Sequence, residues 1–186
     1  MIPGHPIFLS RGLLSRCMIA CAALWLGACA VRADAAPEPT MHDTRITMQR
    51  TTCYGSCPSY TVTMMPNGDV SFEGHVHVQT DNARGHATPT QIANILHALE
   101  QSGFRTMRDS YTSADDGCEM MTDQPGVKIT ATDAAGSKTV DFYYGCTGAV
   151  GDAVKPRIEQ LARTIDQQLD TARWIGKPGA RGSVDR

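Results

Sequence analysis

The sequence predicts an α+β domain with a mostly antiparallel sheet of about five strands and two helices packed on one face. Three observations support this fold class. Apolar residues alternate with polar ones along several short runs, an Asn67-Gly68 pair separates two of these runs, and two other segments repeat apolar residues at helical spacing. The predicted order of elements is βββαββα.

The first three strands follow from period-two patterns. Residues 44–51 form the first strand, with Ile46 and Met48 on one face. The second strand has one face made of Tyr60, Val62 and Met64. The third strand runs from Asp69 to about Thr80, with Gly74 as a possible bulge. Its apolar face is expected to hold Val70, Phe72, Val76 and Val78.

The remaining elements complete the order. Thr88-Pro89 begins a first helix that ends at Gly103, and its apolar stripe is Ile92, Ile95, Leu96 and Leu99. Residues 111–125 are expected to form a loop, and strands beginning near Val127 and Val140 form a hairpin. The second helix is predicted from Pro156 to about Trp174, and residues 175–186 as a flexible tail.

The segment Cys53-Tyr54-Gly55-Ser56-Cys57-Pro58-Ser59-Tyr60 opens the longest β-like part of the chain. Gly55 favours a turn, and Pro58 prevents a helix from continuing and favours an extended backbone at Cys57. The chain is therefore expected to make a tight loop here and to leave it as a strand.

This segment resembles the signature of a bacterial family of secreted domains of unknown function, which is marked by a CYG-x-CP motif. The positions that carry the resemblance are Arg50, Cys53, Tyr54, Gly55, Cys57, Pro58 and Tyr60, followed by Asn67-Gly68 and Gly74, and then by Tyr111, Asp123 and Pro125. The resemblance covers about residues 44–168. It implies an α+β fold and export from the cytoplasm, and it assigns no catalytic role to any residue.

Residues 1–28 are interpreted as a lipoprotein signal peptide. Arg11 and Arg16 supply positive charge, and residues 17–26 form an apolar core that is too short to span a bilayer, which needs about 20 residues. Leu26-Gly27-Ala28-Cys29 resembles a lipobox, in which Cys29 is lipidated and becomes the mature N-terminus. Acyl chains such as palmitate on Cys29 would anchor the protein, at about 0.8 kcal/mol per buried CH₂.

Two alternatives to this lipid anchor remain. Ordinary cleavage at residues 28–30 or 33–35, each with an A-x-A pattern, would give a soluble periplasmic protein. Lipidation at Cys21 would place Arg16 inside the apolar core. Residue 30 is Ala rather than the Asp that retains such lipoproteins at the inner membrane, so the resemblance implies an outer-membrane protein facing the periplasm.

The expected organisation is a signal peptide (1–28), an Ala/Pro-rich tether (29–43), one domain (44–174) and the tail (175–186). The formal net charge is −2, and no basic patch is present, which argues against nucleic acid as a partner. The partners expected are the membrane, through the lipid, and another envelope protein.

Four cysteines belong to the domain, and an even number in an exported domain predicts two disulfides. Of three possible pairings we favour Cys53–Cys57 and Cys118–Cys146, because the second pair flanks the predicted hairpin. Closing its loop of about 27 residues would stabilise the fold by about 3–4 kcal/mol. A redox role for Cys53 and Cys57 is the alternative. Redox motifs, however, space their cysteines by two residues at a helix N-terminus, whereas here three residues intervene and a strand follows.

Two metal-site hypotheses compete with ordinary solvated side chains. His75 and His77 share a strand face with Glu73, and His86 could complete a set, although zinc sites need three or four ligands. The acidic loop with Asp115, Asp116, Glu119 and Asp123 could bind Ca²⁺, but it lacks EF-hand spacing. No metal and no cofactor is assigned.

Nucleophile elbows, phosphate-binding glycine loops and zinc-protease motifs are missing from the sequence, which disfavours an enzyme. The expected function is therefore a lipid-anchored periplasmic domain that binds an envelope component or has a structural role. A thiol–disulfide redox protein using Cys53 and Cys57 and a metal-binding module using His75 and His77 are the alternatives.

Overall fold

The computed structural model describes residues 43–177. These residues form an α+β fold in which three α-helices accompany a seven-stranded mixed sheet and a separate two-stranded sheet. The predicted signal peptide, lipidation site Cys29, tether up to residue 42 and tail from residue 178 lie outside the described residues. Within residues 43–177, no helix is both long and apolar enough to cross a membrane.

The strands are β1 (Arg45–Arg50), β2 (Ser59–Met64), β3 (Asp69–Val76), β4 (Asn82–His86), β5 (Ser110–Tyr111), β6 (Glu119–Met120), β7 (Gly126–Asp133), β8 (Gly136–Tyr143) and β9 (Cys146–Thr147). The helices are α1 (Pro89–Gln101), α2 (Gly148–Gln168) and α3 (Ala172–Ile175). The large sheet has the order β4-β3-β2-β1-β7-β8-β5, and β6 pairs with β9. All pairs are antiparallel except β5 with β8, which is parallel.

One face of the large sheet is buried, and the period-two patterns identify it. The buried sheet residues include Ile46, Met48, Tyr60, Val62, Met64, Val70, Phe72, Val127, Ile129, Ala131, Val140 and Phe142. They form one core with the apolar stripes of α1 and α2, including Ile95, Leu99, Ile158, Leu161 and Ile165. The opposite face is polar, and its threonines pair across strands, as in Thr47 with Thr63 at 3.1 Å.

The first helix begins and ends as the sequence predicts. The Thr88 hydroxyl accepts a hydrogen bond from the Gln91 backbone N–H at 3.3 Å, and the Gln91 side-chain oxygen accepts one from the Thr88 N–H at 2.8 Å. This reciprocal capping satisfies two N–H groups that the helix itself leaves free. Gly103 follows the helix with φ 64°, a left-handed conformation that glycine adopts without strain.

The prediction of about five strands was too low. The strand β4 was missed because its sequence, Asn-Ala-Arg-Gly-His, has no apolar alternation. It is covered by α3, since a Cβ on Gly85 would lie 3.2 Å from the Trp174 ring. The strands β5, β6 and β9 are two residues each, and β6 lies within the segment predicted as the loop 111–125. Such short pairs have no sequence period to detect.

The third strand ends earlier than predicted. The pairing of β2 with β3 shifts register between Ser59 and Tyr60, opposite Gly74 and Val76, so a bulge near Gly74 is confirmed. The strand stops at Val76 instead of continuing to Thr80, and His77 has φ 55°. As a result Val76, expected in the core, is 43% exposed.

The second helix was predicted eight residues too late. It starts at Gly148, and Pro156 lies inside it rather than at its first turn. The prediction placed Pro156 in the first turn because proline lacks the N–H that an interior helical position donates. The helix is nevertheless held by packing of Gly151 and Val154, which are buried. It also ends at Gln168, before Asp170 with φ 51°, and α3 follows as a separate turn.

Candidate functional site

The loop Cys53–Tyr60 lies at one end of the large sheet, which we call the motif end. The antiparallel pairing brings Arg50 at the end of β1 beside Tyr60 in β2 and Val127 in β7. It also places Val76 of β3 opposite Ser59, and Tyr143 of β8 opposite Gly126. The motif end consists of the loops 51–58, 112–125 and 144–147, which connect these strand ends.

The loop 51–58 is fixed at both sides. A disulfide joins Cys53 to Cys57, with the two Cα atoms 5.5 Å apart. The backbone N–H of Tyr54 donates a hydrogen bond to the carbonyl oxygen of Asp123 at 3.1 Å, which ties this loop to the loop 112–125. Gly55 has φ 141°, a conformation that explains why glycine occupies the turn. The Tyr54 side chain, however, points into solvent and is 88% exposed.

The second disulfide joins Cys118 to Cys146, with Cα atoms 4.9 Å apart. It lies where β6 pairs with β9, since Met120 is opposite Cys146. The two disulfides thus have the pairing favoured from the sequence. Both belong to the motif end, and all four thiols are consumed, so no free thiol remains among residues 43–177.

A polar cluster lies beneath the loop 51–58, centred on Asp166 of α2. Arg50 donates from Nε and Nη2 to Asp166 Oδ2 at 2.9 and 2.7 Å. The other carboxylate oxygen, Oδ1, accepts hydrogen bonds from the Tyr60 hydroxyl at 2.5 Å and from the Thr171 hydroxyl at 2.8 Å. One carboxylate therefore ties β1, β2 and the residues after α2 together. Both ends of the motif segment, Arg50 and Tyr60, contact it.

Burial and charge shift the ionisation of this cluster. Burial is the largest single influence on the pKa of Arg50 and lowers it, but the electrostatic effects of Asp166, Tyr60 and Tyr144 and the hydrogen bond to Asp166 together outweigh burial, so the pKa of Arg50 is raised. Burial and then the Asp166 charge raise the pKa of Tyr60. Burial also raises the pKa of Tyr144, against the opposing effect of nearby Arg50. The Tyr144 hydroxyl is shielded from solvent and lies near the Arg50 side chain, with no hydrogen bond of good geometry to a described residue.

A small pocket of about 270 Å³ opens beside this cluster. Its lining residues are Arg50, Thr51, Cys57, Pro58, Tyr60, Pro125, Gly126, Asp166 and Ile175. Five of them belong to the motif positions identified in the sequence: Arg50, Cys57, Pro58, Tyr60 and Pro125. Since drug-sized ligands occupy pockets of about 300–1,000 Å³, this pocket suits a single side chain or a very small molecule.

A larger hollow of about 440 Å³ lies between α1 and the turn after β2, with Pro66, Pro89, Ile92 and Leu96 among its lining residues. It contains none of the predicted site residues other than Asn67 of the hairpin turn. Most of its lining residues are apolar, and none of them belongs to the polar cluster around Asp166. The largely buried cluster of hydrogen-bonded ionisable side chains lies at the motif end instead.

The histidines considered as metal ligands do not come together. His75 Nε2 lies 3.1 Å from the Thr61 hydroxyl on the polar face of the sheet. His86 pairs with Asp69 at 3.3 Å, six residues along β3 from His75 and so about 20 Å away. Within residues 43–177, no group of three or more His, Cys, Asp or Glu side chains is placed to hold a metal ion.

The acidic loop has a structural explanation. Asp116 Oδ2 accepts hydrogen bonds from the backbone N–H groups of Thr112 and Ser113 at 2.7 and 3.1 Å, and from the Ser110 hydroxyl at 2.8 Å. These donors lower its pKa to about 2, with the Thr112 N–H contributing most. All three donors bind the same oxygen, Oδ2, so Asp116 holds residues 110–113 of the loop in place. The carbonyl of Asp123 serves the loop 51–58, as described above.

Sequence reasoning missed Asp166, Thr171 and Tyr144. Asp166 is separated from Tyr60 by 106 positions and from Arg50 by 116, so no local pattern connects them. It directly follows Ile165, the last buried residue of the apolar stripe of α2, where a polar residue gives no signal of its own. Arg50 and Tyr60 were named only as positions of the family resemblance, and no signal in the sequence connects them with Asp166.

Comparison with known protein families identifies the family to which this chain belongs. The family described as a domain of unknown function, DUF6438, matches residues 44–169. The chain belongs to this family, and the predicted likeness to an uncharacterised domain family is confirmed at that level. The matched residues include the whole of β1 to β9 and nearly all of the polar cluster. A search of curated proteins finds no significant match.

Proposed function

We propose that this chain is an exported lipoprotein of the bacterial envelope, anchored by lipid on Cys29 at the outer membrane and facing the periplasm. Its domain binds another envelope component through the motif end. The observation that carries the proposal is the gathering of the motif positions around one exposed loop and one small pocket, in which Asp166 is already bound to Arg50 and Tyr60.

Export is supported by both the sequence and the disulfides. Residues 1–28 have the charge, apolar core and small-residue site of a lipoprotein signal, and Cys29 stands at the lipidation position. The cysteines of the domain are paired as Cys53–Cys57 and Cys118–Cys146. Disulfides form and persist in oxidising compartments such as the bacterial periplasm, which agrees with this address.

Binding is favoured over catalysis by the state of the polar cluster. Arg50 and Asp166 neutralise each other, and the Tyr60 and Thr171 hydroxyls both donate to the same carboxylate. The Tyr60 hydroxyl donates to Asp166, but its raised pKa disfavours ionisation to a nucleophile. The pocket volume of about 270 Å³ matches one protruding side chain of a partner.

A redox function is the second candidate, and one observation favours it. Cys57 lines the pocket, and the residues between the two cysteines of the loop 51–58 are exposed, so a reductant can reach the disulfide. If mild reductant opens Cys53–Cys57 while Cys118–Cys146 stays closed, this candidate is preferred. If neither disulfide opens in the folded protein, both are structural.

Fractionation of cells tests the lipid anchor. Cys29→Ser should move the protein from the membrane fraction to the soluble periplasmic fraction, because it removes the lipidated atom. Cys21→Ser, a cysteine in the same predicted signal, is the matched control and should leave the protein in the membrane fraction. Membrane association that persists in Cys29→Ser would contradict the anchor.

A further inference from the structure

Exposed large apolar side chains are unevenly distributed over the described residues. Those that stand out are Tyr54, Met65, Val76, Met120 and Met121. All but Met65 lie at the motif end, since Val76 pairs with Ser59 and Met120 pairs with Cys146. Met65 lies in the turn at the opposite end of the sheet. Scattered exposed apolar residues are ordinary, whereas a concentration at one end marks an interaction surface.

Tyr54 is the most exposed of these side chains, and its backbone is held in place on both sides. The disulfide from Cys53 to Cys57 closes its loop, and its own N–H is bonded to Asp123. Tyrosine has few rotatable bonds, so little conformational entropy is lost when its ring enters a partner. Aromatic residues held in this way dominate the binding energy of many interfaces.

Three loops of the motif end carry acidic charge only, while His75 and His77 flank Val76 at its edge. The ranges 51–58, 112–125 and 144–147 contain no Lys, Arg or His, but they contain Asp115, Asp116, Glu119 and Asp123. Asp116 is turned inward by its hydrogen bonds, while the other three residues are exposed. The apolar side chains therefore lie beside an acidic border, and a basic surface is its electrostatic complement.

The charge of this surface argues against a lipid bilayer as its occupant, because an acidic border is repelled by anionic lipid headgroups. A second copy of this chain would bring two acidic borders together, which disfavours self-association.

We propose that the motif end is the docking surface for a protein with a basic contact surface, and that Tyr54 is its anchor residue, inserted into an apolar pocket of that partner. The inference rests on the proposed binding function and deepens it by naming the residue and the chemistry of the partner. The small pocket lined by Cys57 and Pro58 adjoins the same loop, and one side chain of the partner can enter it.

Site-specific crosslinking in the cells that make the full chain tests this inference. A photoreactive benzophenone amino acid is placed at Ser56, which is exposed beside Tyr54 and leaves that ring intact. The same probe at Met65, exposed at the other end, is the control. Illumination should join the chain to one protein from position 56 only. Adding Tyr54→Ala to the probe at position 56 should abolish the product, whereas adding Met65→Ala should not.

The crosslinked protein is then purified and titrated against the chain. Tyr54→Ala should weaken binding at least tenfold, equivalent to about 1.4 kcal/mol. Affinity should fall as salt is raised, and Glu119→Gln with Asp123→Asn should reduce both affinity and salt dependence. An unchanged melting temperature in Tyr54→Ala shows that the loss is not one of folding, as expected for so exposed a side chain.

Several outcomes would overturn the inference. A crosslink to a second copy of the chain, equal products from positions 56 and 65, or binding that ignores Tyr54→Ala each excludes the proposed surface. Binding to vesicles of anionic lipid through Tyr54 would identify a bilayer instead. Fractionation of Cys29→Ser is independent of all of these, so loss of the anchor proposal and loss of the docking surface are separately observed.

Discussion

The carboxylate of Asp166 is predicted to be the most sensitive single group in the motif end. Asp166→Asn keeps the shape of the side chain but removes its charge and one oxygen. Arg50 then remains largely buried with a positive charge that nothing neutralises, and the hydroxyls of Tyr60 and Thr171 compete for what is left of the acceptor. We expect the free energy of unfolding to fall substantially.

The magnitude follows from the burial of the pair. Removing one partner of a fully buried ion pair costs about 3–5 kcal/mol, and a fully exposed pair contributes about 0–1 kcal/mol. The Arg50 and Asp166 side chains are 19% and 22% exposed, which places them nearer the buried limit. Partial access of water to Arg50 reduces the cost, so we expect a loss of about 2–3 kcal/mol.

Urea unfolding of the oxidised Cys29→Ser protein measures this loss. The same helix supplies a matched control in Arg163 and Glu159, an ion pair of 2.6 Å whose side chains are 47% and 41% exposed. Glu159→Gln should change the free energy of unfolding by less than about 0.5 kcal/mol. Both variants remove one carboxylate charge from α2, so their difference measures what burial and the hydrogen bonds from Tyr60 and Thr171 add at Asp166.

A double-mutant cycle completes the test. Arg50→Met should be destabilising alone, and the combination with Asp166→Asn should lose less than the sum of the two single changes, because the second change removes a group already unpaired. If Asp166→Asn is no more destabilising than Glu159→Gln, or if the two changes are additive, the carboxylate does not hold the motif end together and this reasoning is refuted.

Three further predictions concern ionisation and packing. Asp116 has a pKa of about 2 in the folded protein, below its unfolded value of about 3.9. Its contribution to stability is therefore lost as pH falls from about 4 to about 2. Asp116→Asn should make the free energy of unfolding depend less on pH over that range. Tyr60 and Tyr144 have raised pKa values, so ultraviolet titration should find both still protonated at about pH 10, where free tyrosine ionises, and their ionisation should accompany alkaline unfolding. Gly151→Ala should lower the melting temperature although alanine favours helices by about 1 kcal/mol, because the new Cβ would lie 2.2 Å from the carbonyl oxygen of Cys146.

The parts of the fold that the sequence predicts are those with a clear period or a strong local signal. The alternation in β1, β2 and β8 and the capping at Thr88 are both local, and each was found correctly. The start of α2 was misplaced because Pro156 looked like a first helical position, while buried packing keeps the preceding turns helical. Tertiary contacts outweighed the local preference there.

The site shows the same division. The spacing of Cys53 and Cys57 and the turn residues between them predict a closed loop from the sequence alone. The partner of Arg50 and Tyr60 could not be predicted, because Asp166 meets them only after the whole sheet has formed. His75 lies beside Thr61 on the polar face of the sheet, and the interpretation of His77 as a solvated surface residue stays a prediction.

Part of the motif therefore has a structural explanation. Arg50 and Tyr60 bind Asp166, the two cysteines and Gly55 close the loop, and the Pro125 carbonyl accepts the Tyr144 N–H at 2.9 Å. Tyr54 has no such explanation, because its ring contacts solvent. We therefore assign Tyr54 to contact with the partner, because its exposed side chain has no structural role that the other motif positions share.

The intact mass of the protein, extracted with detergent from membranes of the cells that make it, tests the central claim of an exported and lipid-anchored domain most directly. We predict a chain that begins at Cys29, carries acyl chains on that residue, and is lighter than the reduced chain by two hydrogens for each of the disulfides Cys53–Cys57 and Cys118–Cys146. A mass equal to the 186-residue chain with all seven cysteines reduced would contradict export, anchoring and the disulfides together.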